Sequence, residues 1–315
     1  MNKVDIIIIS YNCKEHTLKC IESIYSSYNP ELTRIIIVDN ASQDNTVETI
    51  KNLYPDIIII QNNKNLGYAS AVNIGAKATK YPYFIISNPD VEYLQNTIKT
   101  LLDYLEANPT VGAVGPKQLY PDGRWQFCYG DVPGIKLGLK LIFFLYSLKN
   151  IYNTILTKTH INKKNAIDVG YIDGAVIATS QEAFFSINGF DEDYFLYTEE
   201  LDFCYRLKRR GWYIKHLPSC SVTHFRGGSS AKMGVIEEHT RIFLKSKILF
   251  CKKHLSKTET FFYIYSEIIY AYELIMFWKV IYLFFKKHKE KANFKISTMK
   301  LFIKIWKDEL RKLKH

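Results

Sequence analysis

"VDIIIISYNCKEH", Val4 to His16, is the stretch whose reading decides the fold. Its first seven residues are an apolar run whose alternate positions are hydrophobic on both faces, as a fully buried strand requires. The run stops at Ser10-Tyr11-Asn12, and "EHTLKCIESIY" follows, where Leu18, Ile21, Ile24 and Tyr25 recur at helical spacing. Working outward, the unit repeats. "RIIIVDN" precedes "DNTVETIKNLY", whose Asp44 can cap a helix; "DIIIIQN" precedes "ASAVNIGAKAT"; and "YFIISNPD" closes the series. Strands of this kind belong to a parallel sheet covered by helices, and βαβαβαβ predicts a nucleotide-binding α/β layer.

In such sheets, ligands bind in the crevice at the carboxyl ends of the strands. Those ends read Ser10-Tyr11-Asn12, Asp39-Asn40, Asn62-Asn63 and Asn88-Pro89-Asp90. All are polar, and two carry a carboxylate. A dinucleotide site needs G-x-G-x-x-G after the first strand, where this chain has "SYNCKEH", and no P-loop occurs. A dehydrogenase or an ATPase is therefore disfavoured.

Beyond residue 90 the pattern loosens. "TIKTLLDYLEANP" reads as a helix ended at Asn108-Pro109, and "PDG" at 121–123 as a turn. The segment "LGLKLIFFLYSLKNIYNTILTK" is apolar and basic, with no acidic residue until Asp168. "VGYIDGAVIAT" is strand-like again, and "DEDYFLYTEELDFCYRLKRRGW" is strongly charged. Trp125 and Trp212 could stack on sugars, but core packing is the simpler reading of both.

At 315 residues, with 47% apolar and 23% charged, the chain is globular and has ample core. Six cysteines contain no C-x-x-C pair, and Met1–Lys3 leads straight into a strand. Reduced buried thiols in a cytosolic protein are expected, without a zinc site. The net charge of +11 is unevenly placed. Residues 241–315 hold eighteen Lys and Arg against six Asp and Glu, a net of +12, so the rest is close to neutral. Such asymmetry points to nucleic acid or an anionic membrane.

Several residues invite two readings each. Asp39 can close an Asx-turn or accept a hydrogen bond from a nucleobase or ribose. Gly75 and Ala71 in "NLGYASAVNIG" suit close helix–sheet packing, whereas Gly67, at a helix start, can let backbone amides face a diphosphate. Asp90, supported by Asn88, is a sparse ligand set for a hard divalent cation bridging to a diphosphate. His224 in "SVTHFRGGSS" can be structural or a second metal ligand, and Arg226 with Gly227-Gly228-Ser229 would suit a phosphate. In "YTEELDFCYRLKRRG", Thr198 can cap a helix whose first turn carries Glu199, Glu200 and Asp202. Three carboxylates so close repel, raise one pKa, and supply a general base.

Taken in order, "IISYN", "VDNASQDNT", "NLGYASAVNIG", "NPD", "GFDEDYFLYTEELDFCYR" and "VTHFRGGSS" resemble family 2 glycosyltransferases with the GT-A fold, in particular the rhamnosyltransferase-like group of bacterial polysaccharide assembly. The resemblance covers roughly residues 4–235 and implies a Rossmann-like mixed sheet flanked by helices. Residues 1–235 would be the catalytic domain, with a nucleotide-sugar half at 1–90 and an acceptor half at 91–235. Residues 236–315 would be a helical, basic, amphipathic extension. The implied reaction is inverting transfer of a rhamnose-like or other hexose from a nucleoside-diphosphate donor to a glycan or polyprenyl-linked glycan of O-antigen or capsule type. The implied nucleotide site is Ser10, Tyr11, Asn12, Asp39, Asn40, Gly67, Asn73 and Asn88. Asp90 and His224 would hold Mg2+ or Mn2+. Glu200 would be the base, Glu199 its reserve, and Asp202 would orient the site or Arg206. Asp173 and Gly174 would form the turn facing acceptor or sugar. Two departures stand out: Asn88 replaces the first Asp of an Asp-x-Asp-like motif, and Glu200 replaces the usual Asp. The rivals are a GT-A relative that binds nucleotide sugar or glycan without catalysis, and a nucleotidyltransferase. The latter would want a Gly-rich basic turn where "SYNCKEH" stands.

The tail completes the expectations. Residues 261–285 are long and apolar enough to consider as a membrane span, but Glu267, Glu273 and Lys279 point in three directions. In the last helix, Met299, Ile303, Trp306, Leu310 and Leu313 form one stripe, beside Lys300, Lys304, Lys307, Arg311 and Lys314. That predicts a helix lying on anionic lipid, with the enzyme cytoplasmic and peripheral on the inner face of the membrane. Nucleic acid would leave the apolar stripe without a use.

Overall fold

The computed structural model describes residues 3–143, 165–225, 233–285 and 288–314. The opening repeat folds as the sequence predicts: β1 (Val4–Ser10), α1 (Lys14–Ser27), β2 (Thr33–Asp39), α2 (Thr46–Leu53), β3 (Ile58–Gln61), α3 (Tyr68–Lys77) and β4 (Tyr83–Ser87). There follow β5 (Val91–Tyr93), α4 (Thr97–Ala107), β6 (Val111–Leu119), β7 (Trp125–Gln126), β8 (Tyr129–Gly130) and α5 (Ile135–Ile142). Next come β9 (Ile167–Asp168), β10 (Tyr171–Ile172), β11 (Val176–Ser180), α6 (Gln181–Ser186), α7 (Glu199–Arg209) and β12 (Tyr213–His224). The chain continues in α8 (Met233–His254), α9 (Lys257–Phe284) and α10 (Lys289–Lys314).

The main sheet runs β3-β2-β1-β4-β11-β6-β12-β5. The first four strands are parallel, β11 is antiparallel to both β4 and β6, and β12 is parallel to β6. The sheet is therefore mixed. The doubly apolar strands explain themselves through their neighbours. Ile6, Ile8, Ile35, Ile37 and Ile85 join one core, which α1, α2 and α4 cover. Ile7, Ile9, Ile36, Val38, Phe84 and Ile86 join the other, which α3, α6 and α7 cover. Each fully buried isoleucine contributes about 1.5–3 kcal/mol, so the sheet's interior strands dominate stability. A Cβ at Gly75 would stand 2.4 Å from Ile7 Cγ2 and 3.0 Å from Val38 Cγ2, which confirms the packing reading of that glycine.

Two compact units emerge: Met1–Asp131 with Thr159–Gly228, and Val132–Lys158 with Ser229–His315. The division differs from the expected break near residue 235, because α5 leaves the catalytic half. Gly138 is the reason. A Cβ there would meet Ser266 Oγ at 2.7 Å and Phe262 Cε1 at 2.8 Å, so α5 lies directly on α9.

Within the second unit, α9 opens with a capping box between Ser256 and Glu259. The apolar stripe of α10 does not face outward. Ile303, Trp306 and Leu310 are buried in one core with Leu244, Ile264, Ile268 and Ile275, and Met299 and Leu313 pack at its margin. This corrects the expected lipid-facing stripe: an amphipathic helix beside two other apolar helices buries its stripe against them first. Glu267 and Glu309 are also inside, facing Lys247 at 2.6 Å and Lys252. No helix among the described residues is long and apolar enough to cross a membrane.

Candidate active site

The β1 and β2 carboxyl ends are tied together by side chains predicted to hold a nucleotide. Asn12 Oδ1 accepts from the Gln43 amide at 2.8 Å, and the Asn12 amide donates to Ser42 Oγ at 2.9 Å. Asp39 Oδ2 accepts from the Ser42 amide at 2.9 Å, closing the Asx-turn. Its Oδ1 is buried with no hydrogen-bond partner among the described residues. A buried, unpaired carboxylate oxygen is costly, and a ligand hydroxyl or N–H would relieve it. The Asx-turn therefore uses one oxygen and leaves the other without a partner among the described residues. Tyr11 is exposed beside it. Ser10 Oγ lies 3.2 Å from Thr17 Oγ1 inside the first turn of α1, and Asp44 accepts from the Lys14 and Thr46 amides.

Three expected nucleotide contacts are already occupied within the fold. Asn40 donates to Gly67 O at 3.1 Å and accepts from Asn62 at 2.8 Å. Asn73 donates to Phe190 O and Glu192 Oε1, and accepts from the Phe190 amide at 2.9 Å, clamping the acidic loop before α7. The Gly67 amide donates to Asn65 Oδ1, and the Tyr68 amide to Phe195 O. Those amides thus do not face a diphosphate. Glycine stands at 67 because φ is +84° and a Cβ would collide with Phe195 O at 2.5 Å.

At the end of β4, Asp90 Oδ1 lies 3.4 Å from His224 Nε2. Burial pushes the Asp90 carboxyl up, but the hydrogen bond and charge of His224, its own amide and nearby His16 outweigh that and hold it below the ordinary value. His224 is buried, and its Nδ1 lies 3.1 Å from Gln118 Oε1. Gln118 Nε2 makes a long 3.5 Å contact to Asp173 Oδ1, which also accepts from the Ala175 amide at 3.1 Å. A carboxylate there fixes which end of the amide faces His224. The Gln118 Oε1 then accepts from Nδ1, and Nε2 is the ring nitrogen that faces Asp90. Asp90 and His224 present a carboxylate oxygen and an imidazole nitrogen side by side. That donor pair fits a divalent cation whose other ligands are diphosphate oxygens and water. No group of three or more His, Cys, Asp or Glu able to hold a metal occurs among the described residues. Arg226, Gly227, Gly228 and Ser229, and the side chain of Lys314, lie outside them.

The first turn of α7 approaches the same place. A Cβ on Gly174 would lie 3.6 Å from Glu200 Cβ, and Tyr68 Oη donates to Gly174 O at 2.9 Å. Burial, then the charges of Glu199, Glu200 and Asp173, keep the Tyr68 phenol well above its usual pKa and hence protonated. Burial, then Glu200 and Asp173, push Glu199 well above the ordinary carboxyl value, and its Oε2 has no partner among the described residues. The raised carboxyl is thus Glu199, chiefly through its burial, while Glu200 is half-exposed at the turn. Thr198 does not cap with its side chain; it adopts φ +70°, after Tyr197 at +67°. Two non-glycine residues in this region store about 1–3 kcal/mol each, held by the surrounding packing. Asp202 is fully buried and grips Arg206 at 2.6 Å, which in turn holds Ile187 O and Gly189 O. Through Arg206 it braces the loop at 187–189.

Asp90, His224, Asp173, Gly174, Glu199 and Glu200 are therefore drawn together. Tyr68, Gln118 and Gln126 were missed. Gln118 and Gln126 are buried polar residues in strands, a pattern that marks them once burial is known. Trp212 packs on Gly112 and donates to Ser186, whereas Trp125 is only half-buried.

The family model described as Glycosyl transferase family 2 matches residues 5–174, more than half of the chain. The N-acetylglucosaminyl-diphospho-decaprenol L-rhamnosyltransferase of Mycobacterium tuberculosis is 27% identical over 259 residues, covering 77% of this chain and 84% of the relative. The UDP-Glc:alpha-D-GlcNAc-diphosphoundecaprenol beta-1,3-glucosyltransferase WfaP of Escherichia coli is 33% identical over 174 residues, covering 55% and 66%. Among solved structures, the mannosyltransferase PcManGT from Pyrobaculum calidifontis, in complex with GDP-Man and Mn2+, superposes with a TM-score of 0.59 at 16% identity, covering 95% of this chain and 85% of that one. The fold is shared with a glycosyltransferase of the GT-A type, and the protein belongs to glycosyltransferase family 2.

Proposed function

We propose that this protein is a metal-dependent, inverting glycosyltransferase that moves a hexose, rhamnose-like or glucose-like, from a nucleoside-diphosphate donor to a lipid-linked glycan. The observation that carries the reading is the convergence of Asp90–His224 and Glu199–Glu200 on Asp173–Gly174. Asp39 and Tyr11 take the nucleoside, and Asn88 flanks the diphosphate. Asp90 and His224 would hold Mg2+ or Mn2+, which would supply positive charge to the leaving diphosphate. Glu200 takes the proton from the acceptor hydroxyl, the hydroxyl oxygen bonds to the anomeric carbon, and the carbon–oxygen bond to the diphosphate breaks with its electron pair. Glu199, its carboxyl raised by burial, stands beside it. One displacement without a covalent intermediate inverts the anomeric centre.

The acceptor class rests on the two relatives, whose names specify GlcNAc-diphospho-polyprenols. Attachment to the inner face of the membrane is supported by the cationic last quarter of the chain and by α9. Phe261, Tyr265, Tyr272, Met276, Val280 and Leu283 lie on one exposed stripe, Leu283 being 71% exposed. The test is transfer from a panel of nucleotide sugars to a synthetic GlcNAc-diphospho-lipid, with product configuration read by NMR. Retention of configuration, or no transfer with any donor, would refute it.

A further inference from the structure

Residues Trp125–Tyr129 form an extended edge whose side chains alternate in role. The even positions face inward. Gln126 is fully buried and donates to His224 O and to Leu119 O, and Cys128 O accepts from the Asp173 amide at 2.9 Å. The odd positions are Trp125, Phe127 and Tyr129, all half-buried. Their rings form one ladder: Trp125 meets Phe127 edge-on at 5.5 Å, Phe127 stacks on Tyr129 at 6.0 Å, and Trp125 and Tyr129 are 6.3 Å apart. Tyr129 also rests on the His216 ring at 4.6 Å, and Gly130 keeps Tyr171 close beneath, since a Cβ there would lie 2.5 Å from it.

Three large rings stand on one side of so short an edge, and each is half-buried. The position is also specific. Inward contacts bolt this edge to His224 and Asp173, so the ladder is held in register with the reaction centre. Along the sheet, Asp39 lies on β2 and the ladder joins through β7 to β6, on the far side of β4 with its Asp90. The nucleoside end and the aromatic end thus flank the centre.

We propose that Trp125, Phe127 and Tyr129 are the platform on which the acceptor's sugar ring lies, its C–H face against the aromatic faces. A pyranose offers an apolar face and a polar rim. Aromatic rings next to a few fixed polar groups suit that shape, with Asp173 and Glu200 available to the hydroxyl that reacts. The inference deepens the acceptor reading above and rests on it.

The experiment is saturation-transfer NMR on the full chain, using a GlcNAc-diphospho-lipid with a short alkyl chain as probe. Donor hydrolysis is measured in parallel to report on the nucleotide side. Saturation is expected on the ring C–H protons. It should be lost in Trp125→Ala, with about a tenfold rise in acceptor KM, and largely retained in Trp125→Phe. Donor hydrolysis should be unchanged in both variants. The proposal is overturned by absent ring saturation in the wild type, by saturation confined to the alkyl chain, or by equal saturation in Trp125→Ala. A parallel fall in donor hydrolysis would also overturn it, because the edge would then act only as a brace for His224. If the wild type hydrolyses no donor, the catalytic reading fails separately.

Discussion

Gln118 Oε1 lies 3.1 Å from His224 Nδ1, and this contact leaves Nε2 as the histidine nitrogen that faces Asp90. The amide is oriented in turn by Asp173, so the Asp173–Gly174 turn and the Asp90–His224 pair are linked through one buried side chain.

Replacing that amide should loosen the histidine. Gln118→Met keeps the volume but removes the acceptor, and Mn2+-dependent binding of a nucleoside diphosphate should weaken about 10- to 100-fold. Gln118→Glu, which still accepts from Nδ1, should lose less. Calorimetric titration with and without Mn2+ measures this; equal affinities in wild type and Gln118→Met would refute the link.

Asp90→Ala should abolish turnover and remove the Mn2+ dependence of nucleotide binding, since the diphosphate loses its protein-held bridge. Full activity of this variant in chelator would exclude the metal role.

The two adjacent glutamates should separate cleanly. Glu200→Gln cannot accept a proton, so kcat should fall on the order of a hundredfold or more with little change in donor affinity. Glu199→Gln imitates the protonated form that burial favours, and its kcat should stay within about threefold. The opposite ranking would move the base to Glu199.

Glu199 also makes a stability prediction. Its folded pKa is raised, so the stability contributed by the protonated form is fully present below the ordinary value of 4.5 and is lost as pH rises through the raised value. Glu199→Gln has no such loss. Its Tm advantage over the wild type should be smallest in acid and should grow as pH climbs above 4.5. Parallel Tm profiles from acid to alkaline pH would contradict the burial.

In the second unit, two apolar sets should behave differently. Trp306→Ala removes a fully buried ring and should destabilise the unit by about 3–5 kcal/mol in chemical unfolding. Met276→Glu with Leu283→Glu alters exposed positions and should leave stability nearly unchanged while abolishing flotation with phosphatidylglycerol vesicles. Undiminished flotation of that double variant would remove α9 as the membrane face.

The sequence by itself determined the strand–helix alternation of residues 4–90, because the periods of buried strands and helices are local properties of the chain. It also placed Asp39 and Asp90 at one edge, since parallel strands joined by helices must end on the same side. Tertiary structure decided what each polar group touches. Asn73 reads as a ligand in its motif, yet residues 190–192 arrive from far along the chain and saturate it. Glu199 and Glu200 look alike in sequence, and only the fold buries Glu199, which raises its pKa, while Glu200 stays half-exposed. The stripe of α10 is equally apolar whether it meets lipid or protein. Periodicity gives a helix its face, but what covers that face depends on contacts between distant segments.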